Sequence, residues 1–253
     1  MNDRRGPGFV APSSAAVHSP DVAGSGMHPP TSPSFLFQGG PESAMDKGTM
    51  IRLKEMHLAP YIQLSTVLIG KRRRSGGNMF RHQIDTMAIL MDYGYIDSIL
   101  LKASVIHDLV EDVPDFDSDT LLSIDEESSE VYRLVLEVTR RPIESKPDFL
   151  GRILAYGSTR SRVLKCADRI SNMISLGYVT DIEFVRRYTD ETEACIYPIA
   201  DRADPRMATE LRELVATRTH YLHLMEGASE HHKASGPHQG QSRPGDFAEP
   251  PAP

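Results

Sequence analysis

The sequence predicts an all-α fold, and three observations carry that prediction. Apolar residues recur at three- and four-residue spacing in one segment after another between Pro60 and Met225. No stretch alternates apolar and polar residues in the manner of a half-buried strand, and no internal repeat is present. Twelve of the 18 prolines fall in residues 1–50 and 227–253, leaving six for the 176 residues between them. The flanks are rich in Pro, Gly and Ser and poor in large apolar side chains, so they bury too little to offset the entropy of ordering them. The expected organisation is a disordered tail over 1–48, one helical domain over 49–226 and a second disordered tail over 227–253. Met27, Met45 and Met50 each offer an alternative start.

Within the domain the elements follow in order. A helix is expected from Pro60, which is tolerated at a first helical position, with Ile62, Val67, Leu68 and Ile69 as its apolar face. Lys71 to Arg74, followed by Ser75-Gly76-Gly77, reads as a basic last turn and a glycine stop. The second helix runs from about Phe80 to Tyr93 on Ile84, Met87, Ala88 and Met91, and Gly94 ends it. The third starts at Asp97, an N-cap type, and carries Ile99, Leu100, Ala103, Ile106 and Val110 until Pro114 forbids continuation. An acidic loop over 115–129 holds a short helix around Leu121-Leu122, and Val131 to Val138 is helical in pattern. Pro142 and Pro147 mark a connection before further helices at 148–156, 160–176, 181–200 and 205–225.

Composition excludes several classes of function. No run approaches the roughly 18 apolar residues of a membrane helix, and residues 1–30 lack the apolar stretch of a secretory signal. Cys166 and Cys195 sit in apolar, helix-like surroundings, which argues against a disulfide scaffold and for a cytoplasmic protein. The domain has 23 Lys and Arg against 28 Asp and Glu, a balance with no broad electrostatic footprint for nucleic acid.

The chemistry-bearing signal is His107-Asp108-Leu109-Val110-Glu111-Asp112. On a continuous helix His107 and Glu111 share one face, as do Asp108 and Asp112. Three carboxylates then fall in the last turns before Pro114, where the helix dipole disfavours negative charge, and no Lys or Arg lies between Asp108 and Asp119. A cation would remove that conflict, and an adjacent His and Asp are suitable ligands for one. A solvated helix end leading into an acidic loop is the plainer account. Other residues favour the first: His82 lies among apolar neighbours, and Asp168 and Asn172 lie four apart beside a stripe of Val163, Leu164, Ala167, Ile170, Met173 and Ile174. A carboxylate in such a position needs a charged partner, which either Lys165 or Arg169 could be. His220, His223, His231 and His232 read as solvated residues at or beyond the last helix.

The order His82, then His107-Asp108, then Asp168 resembles the metal-ligand order of the HD phosphohydrolase superfamily. His107-Asp108-x-x-Glu111-Asp112 resembles the HDxxED motif of RelA/SpoT-type alarmone hydrolases. Lys165 to Met173, K-C-A-D-R-I-S-N-M, resembles that family's K-L-A-D-R-L-H-N-M. Arg73-Arg74-Ser75-Gly76, beginning nine residues before His82, resembles its R-K-S-G stretch, and Val138-Thr139-Arg140 its V-T-K segment. Glu191-Thr192 and Pro198-Ile199-Ala200 echo its following helix more faintly. The resemblance spans roughly 50–205.

It implies an HD-domain helical bundle that holds one Mn²⁺, with Fe²⁺ or Zn²⁺ as alternatives, and removes the 3′-pyrophosphate of guanosine tetra- or pentaphosphate. The implied metal ligands are His82, His107, Asp108 and Asp168. Glu111 and Asp112 match the pair that positions and activates the attacking water. Arg73, Arg74 and Ser75 match the strip that contacts the guanine nucleotide, and Asn172 a substrate-side residue. The departures are Arg74 for the usual Lys, Gly77-Asn78-Met79-Phe80 for a Glu-Pro-Tyr-type run, and Ser171 where His is frequent. They leave two alternatives open: hydrolysis of another 3′-phosphorylated nucleotide or a nicotinamide cofactor, and a non-catalytic nucleotide-binding module. After about Ala200 there is room for one more helix and a tail, which implies a stand-alone small hydrolase.

Overall fold

Side-chain caps start most of the helices, and the first shows how: Asp46 accepts from the Thr49 backbone N–H at 2.7 Å and opens α1, Lys47–Glu55. The computed structural model describes residues 46–234, with side chains through Glu226. The expected 1–48 tail therefore lies almost wholly outside the described residues, as do 235–253. α2, Ala59–Ser65, carries Pro60 in its first turn and passes into a single tighter turn, Thr66–Leu68. Here the structure departs from expectation. The Ser65 and Thr66 hydroxyls bond back to the Ile62 and Gln63 carbonyls at 2.8 and 2.7 Å, drawing the backbone out of the α-helix. Val67 and Ile69 are exposed, and only Leu68 of that predicted face is fully buried.

Lys71 to Asn78 is consequently a loop and not a last helical turn. It folds back on itself through an antiparallel bridge between Arg72 and Asn78, with Met79 N–H donating to the Lys71 carbonyl at 2.9 Å. Gly76 and Gly77 turn it at φ 91° and 79°, a region that residues with a Cβ avoid. Asn78 then caps α3, Met79–Asp92. Its buried residues are His82, Gln83, Thr86 and Leu90, so the largely polar face points inward while Ile84, Met87 and Met91 are half-buried and Ala88 is exposed. Burying polar groups is tolerable only where each finds a partner, and α3 packs chiefly on the helix that supplies several of them.

α4, Ser98–Ser104, capped by Asp97, is buried at every position from Ile99 onward. The helix expected to continue to Pro114 breaks at Val105–Asp108 and resumes as the short α5, Leu109–Asp112. The cause is local. A continuing helix would give the Ser104 carbonyl to the Asp108 N–H; instead His107 Nδ1 takes that carbonyl at 2.7 Å, and the Asp108 N–H turns to Gln83 Oε1 at 3.4 Å.

α6, Ser118–Leu122, and α7, Ser128–Val138, follow. α8, Lys146–Tyr156, and α9, Thr159–Ser175, are each opened by a serine cap, Ser145 and Ser158. α9 is the axis of the bundle: from Val163 to Met173 nine of eleven residues are buried, and α3, α4, α7, α8 and the last two helices all pack on it. Ile174, expected in the same stripe, is exposed. The predicted 181–200 helix is α10, Ile182–Glu191, a wide turn at Thr192–Ile196, and α11, Tyr197–Ala203. Pro198 lacks an N–H for the preceding turn, and Tyr197 N–H instead reaches back to the Thr192 carbonyl. α12, Pro205–Ala234, runs beyond Met225 into the segment expected to be a disordered tail. The described residues form no β-strand ladder beyond the one bridge, and no described helix is long and apolar enough to cross a membrane. The all-α helical bundle is as expected.

Candidate functional site

α3, the 105–108 turn and α9 bring His82, His107, Asp108 and Asp168 together. His82 Nε2 lies 3.0 Å from Asp168 Oδ1 and 3.7 Å from Asp108 Oδ2. His107 Nε2 lies 3.8 and 3.5 Å from the same two oxygens. The imidazoles meet edge to face, with centroids 5.2 Å apart. One nitrogen of each ring thus faces one oxygen of each carboxylate. His82, His107 and Asp168 are all buried, and their ligand atoms lie within 4.8 Å of one another.

The hydrogen bonds behind these residues decide which atoms remain free. The Ser104 carbonyl can only accept, so His107 carries its proton on Nδ1 and its lone pair on Nε2. That Nε2 is buried and has no hydrogen-bond partner among the described residues. His82 Nδ1 is 2.8 Å from Ser171 Oγ, which leaves its Nε2 for the centre. An orphaned buried acceptor between two carboxylates is costly unless something fills the gap. Two imidazole nitrogens and two carboxylate oxygens suit a borderline-to-hard divalent ion, so these residues fit the metal that the sequence resemblance implies.

Electrostatics point the same way. Burial alone would lower His107's pKa, but the carboxylates of Asp108 and Asp168 override it and hold the pKa above its ordinary value. His82 is pushed down, because its burial outweighs the same neighbours. Burial would raise Asp168, yet Lys165 and the two histidines hold it well below the usual carboxylate range. The Asp168 partner left open by the sequence is Lys165, at 2.7 Å, whereas Arg169 turns away to Glu191 at 2.6 Å and Thr192 at 3.1 Å.

The other predicted residues separate into two groups. Arg73 Nη2 and Ser75 Oγ both donate to Asn172 Oδ1, and Asn172 Nδ2 donates to Asp168 Oδ1 at 2.6 Å. The loop is thereby joined to the histidine–aspartate group through one amide. Arg74 lies elsewhere: it pairs with Asp181 at 3.2 Å, and its guanidinium covers Phe184 at 4.4 Å. Glu111 and Asp112 are also engaged away from the histidines. Glu111 accepts from the Arg140 backbone at 3.3 Å and stands 3.8 Å from its Nε, and Asp112 pairs with Lys71 at 2.9 Å. The acidic run, uncompensated in sequence, is compensated in space. His220 and His223 are exposed on α12, and the side chains of His231 and His232 lie outside those described.

Sequence reasoning missed Gln83, Ser104 and Ser171, which hold the ligand side chains from behind. Gln83 sits next to His82 and is fully buried. A polar residue repeatedly placed on what becomes the inner face of α3 was the available signal.

The fold and the site together define an all-α bundle domain with a buried His–His–Asp group able to hold a metal ion. No family model matches the sequence, and no curated protein does. Among solved structures, the chain is similar to one described as a metazoan ortholog of SpoT that hydrolyzes ppGpp and plays a role in starvation responses. The match has a TM-score of 0.54 and 22% sequence identity, covering 64% of this chain and 94% of that one. At that identity the likeness is one of fold.

Proposed function

We propose that the protein is a metal-dependent phosphohydrolase that removes the 3′-pyrophosphate of guanosine tetra- or pentaphosphate, using one water and yielding GDP or GTP and pyrophosphate. The observation that carries this reading is the joining of the separate sequence blocks at one centre. Arg73 and Ser75 meet Asn172, Asn172 meets Asp168, and Asp168 meets His82 from across the bundle. The fold shared with a ppGpp-hydrolysing protein supports it.

His82, His107, Asp108 and Asp168 would hold Mn²⁺, or Fe²⁺ or Zn²⁺ in its place. Such an ion supplies a bound water of lowered pKa and polarises the phosphoryl group. Glu111 matches the general base and Asp112 the residue that orients the water; because they pair here with Arg140 and Lys71, Glu111 would have to exchange Arg140 for that water in order to take its proton. Arg73, Ser75 and Asn172 bind the nucleotide beside the metal, where a guanidinium can fork onto phosphate oxygens. Arg74, one face of which lies on Phe184, would turn its other face to the base. Exclusion of bulk water around the buried His82, His107, Asp168 and Ser75 raises the worth of the contacts made there. The protein acts without a membrane or nucleic-acid partner, in the cytoplasm.

The test is incubation of purified protein with Mn²⁺ and ppGpp, with products resolved by anion exchange. GDP and pyrophosphate should accumulate in equal amounts. No release above an Asp108→Ala control would overturn the proposal. Reduced nicotinamide cofactor phosphates, run in the same panel, test the neighbouring substrate class.

A further inference from the structure

We propose that Gln83 is the positioning residue for Asp108, fixing the carboxylate that completes the metal site. The proposal rests on the metal-dependent reading above and extends it to a residue with no place in the sequence motifs.

Asp108, like His82, has no side-chain partner on its own segment, whereas His107 and Asp168 are held from within a turn of themselves. Asp108 lies at the break between α4 and α5, caps neither helix with its side chain and is partly exposed. His107 is fixed by Ser104, His82 by Ser171, and Asp168 by Lys165 and Asn172. Gln83 does the same for Asp108 from the neighbouring helix, with both ends of one amide. Its Nε2 donates to Asp108 Oδ2 at 2.8 Å, and its Oε1 accepts the Asp108 backbone N–H at 3.4 Å. The two partners also settle which end of the amide is which, since a carboxylate needs a donor and an N–H needs an acceptor.

Two consequences follow from the geometry. The oxygen that receives Gln83 is the one that faces both histidine Nε2 atoms, at 3.7 and 3.5 Å, so Gln83 selects which Asp108 oxygen points at the centre. Gln83 also directly follows His82, so a single turn of α3 carries one ligand and the clamp on another. Any shift of α3 moves both together, keeping the spacing between His82 and Asp108 constant. Groups that orient metal ligands in this way typically contribute about 10–100-fold to metal affinity.

The test uses Gln83→Met, which keeps the length and volume of the side chain and removes the amide. Gln83→Glu, which keeps the acceptor but loses the donor, is the second variant. Mn²⁺ affinity is measured by calorimetry on metal-free protein, Co²⁺ coordination by visible absorption, and folding by the thermal midpoint of the metal-free form. Both variants should bind Mn²⁺ at least about tenfold more weakly, with a Co²⁺ spectrum shifted from wild type and a metal-free midpoint within a few degrees of it. A residue that only packs would leave the Co²⁺ spectrum unchanged. Wild-type affinity and spectrum in both variants, with His107→Ala binding no metal, would overturn the role of Gln83 and leave the metal reading standing. A wild-type protein that binds neither Mn²⁺ nor Co²⁺ would overturn both.

Discussion

Replacing Lys102 by Met should destabilise the helix that delivers His107 and Asp108, and do so in a pH-dependent way. Lys102 is 3% exposed on α4, with its ammonium 2.8 Å from Asp125 and 2.5 Å from Glu127. Tyr61, whose ring lies 5.3 Å from the same ammonium, donates its hydroxyl to Asp125 at 2.8 Å. The methionine keeps the apolar stem and removes the charge, leaving two carboxylates facing each other with no cation. Breaking a buried pair costs about 3–5 kcal/mol, and the low end applies because Glu127 is one-third exposed and can be rehydrated. For a domain of this size about 3 kcal/mol lowers the midpoint by roughly 6–12 °C.

The pH dependence has a definite sign. Burial would raise Asp125, but Lys102 and Tyr61 hold it below its ordinary value. Glu127 is lowered by Lys102 and Ser98. Groups depressed in the folded state stabilise it above their unfolded pKa values, and that contribution is lost as pH falls through the folded ones. Lys102 is itself held above its ordinary value, the carboxylates outweighing its burial, so its share persists until pH rises through that raised pKa. The deficit of the Met variant should therefore be full from about pH 5 to 10 and shrink toward pH 3. Circular dichroism melts at pH 7 and pH 3 measure it. An unchanged midpoint at pH 7, or an equal deficit at both pH values, would refute the reasoning.

Three further outcomes test the site and its support. His107→Ala should lose both metal and turnover, whereas Glu111→Ala should keep its metal and lose about 10²–10⁴-fold in rate, as removal of a general base does; metal loss in the Glu111 variant would show that the division of roles is wrong. Chelation of protein held at about 100 times its metal dissociation constant should remove about 2.7 kcal/mol of apparent stability, read as a fall in the thermal midpoint that added Mn²⁺ restores. Glu144, whose carboxyl Arg152 and the Arg141 N–H hold at about 2, stabilises the fold above pH 4.5 and loses that contribution as pH falls toward 2. Glu144→Gln should accordingly melt below wild type at pH 7 and alongside it near pH 2.

Particular residues show how far local pattern reached. Asp97 and Gly94 bound their helices as their chemistry requires, because a cap or a positive-φ glycine acts within one turn of itself. The apolar face read onto α3 was displaced, because His82 and Gln83 found partners in the turn after α4 and on α9, 25 to 89 residues away in sequence. The same holds for the acidic run. Its counter-charges, Lys71 and Arg140, come from segments 41 and 29 residues away. Its position at a helix break comes from a histidine taking a carbonyl that the helix would have used.

The sequence by itself determined that the domain is helical, where several helices start, and which residue types were available for a metal. Spacing and capping act over three or four residues, and the identities of His82, His107, Asp108 and Asp168 are legible without coordinates. Only the tertiary structure decided that the two Nε2 atoms share one centre with two carboxylate oxygens, that Lys165 and not Arg169 neutralises Asp168, and that Gln83 holds Asp108. Those facts depend on which helix faces which. Contacts between distant segments, made at about 3 Å by side chains whose spacing carries no periodic signal, set that arrangement.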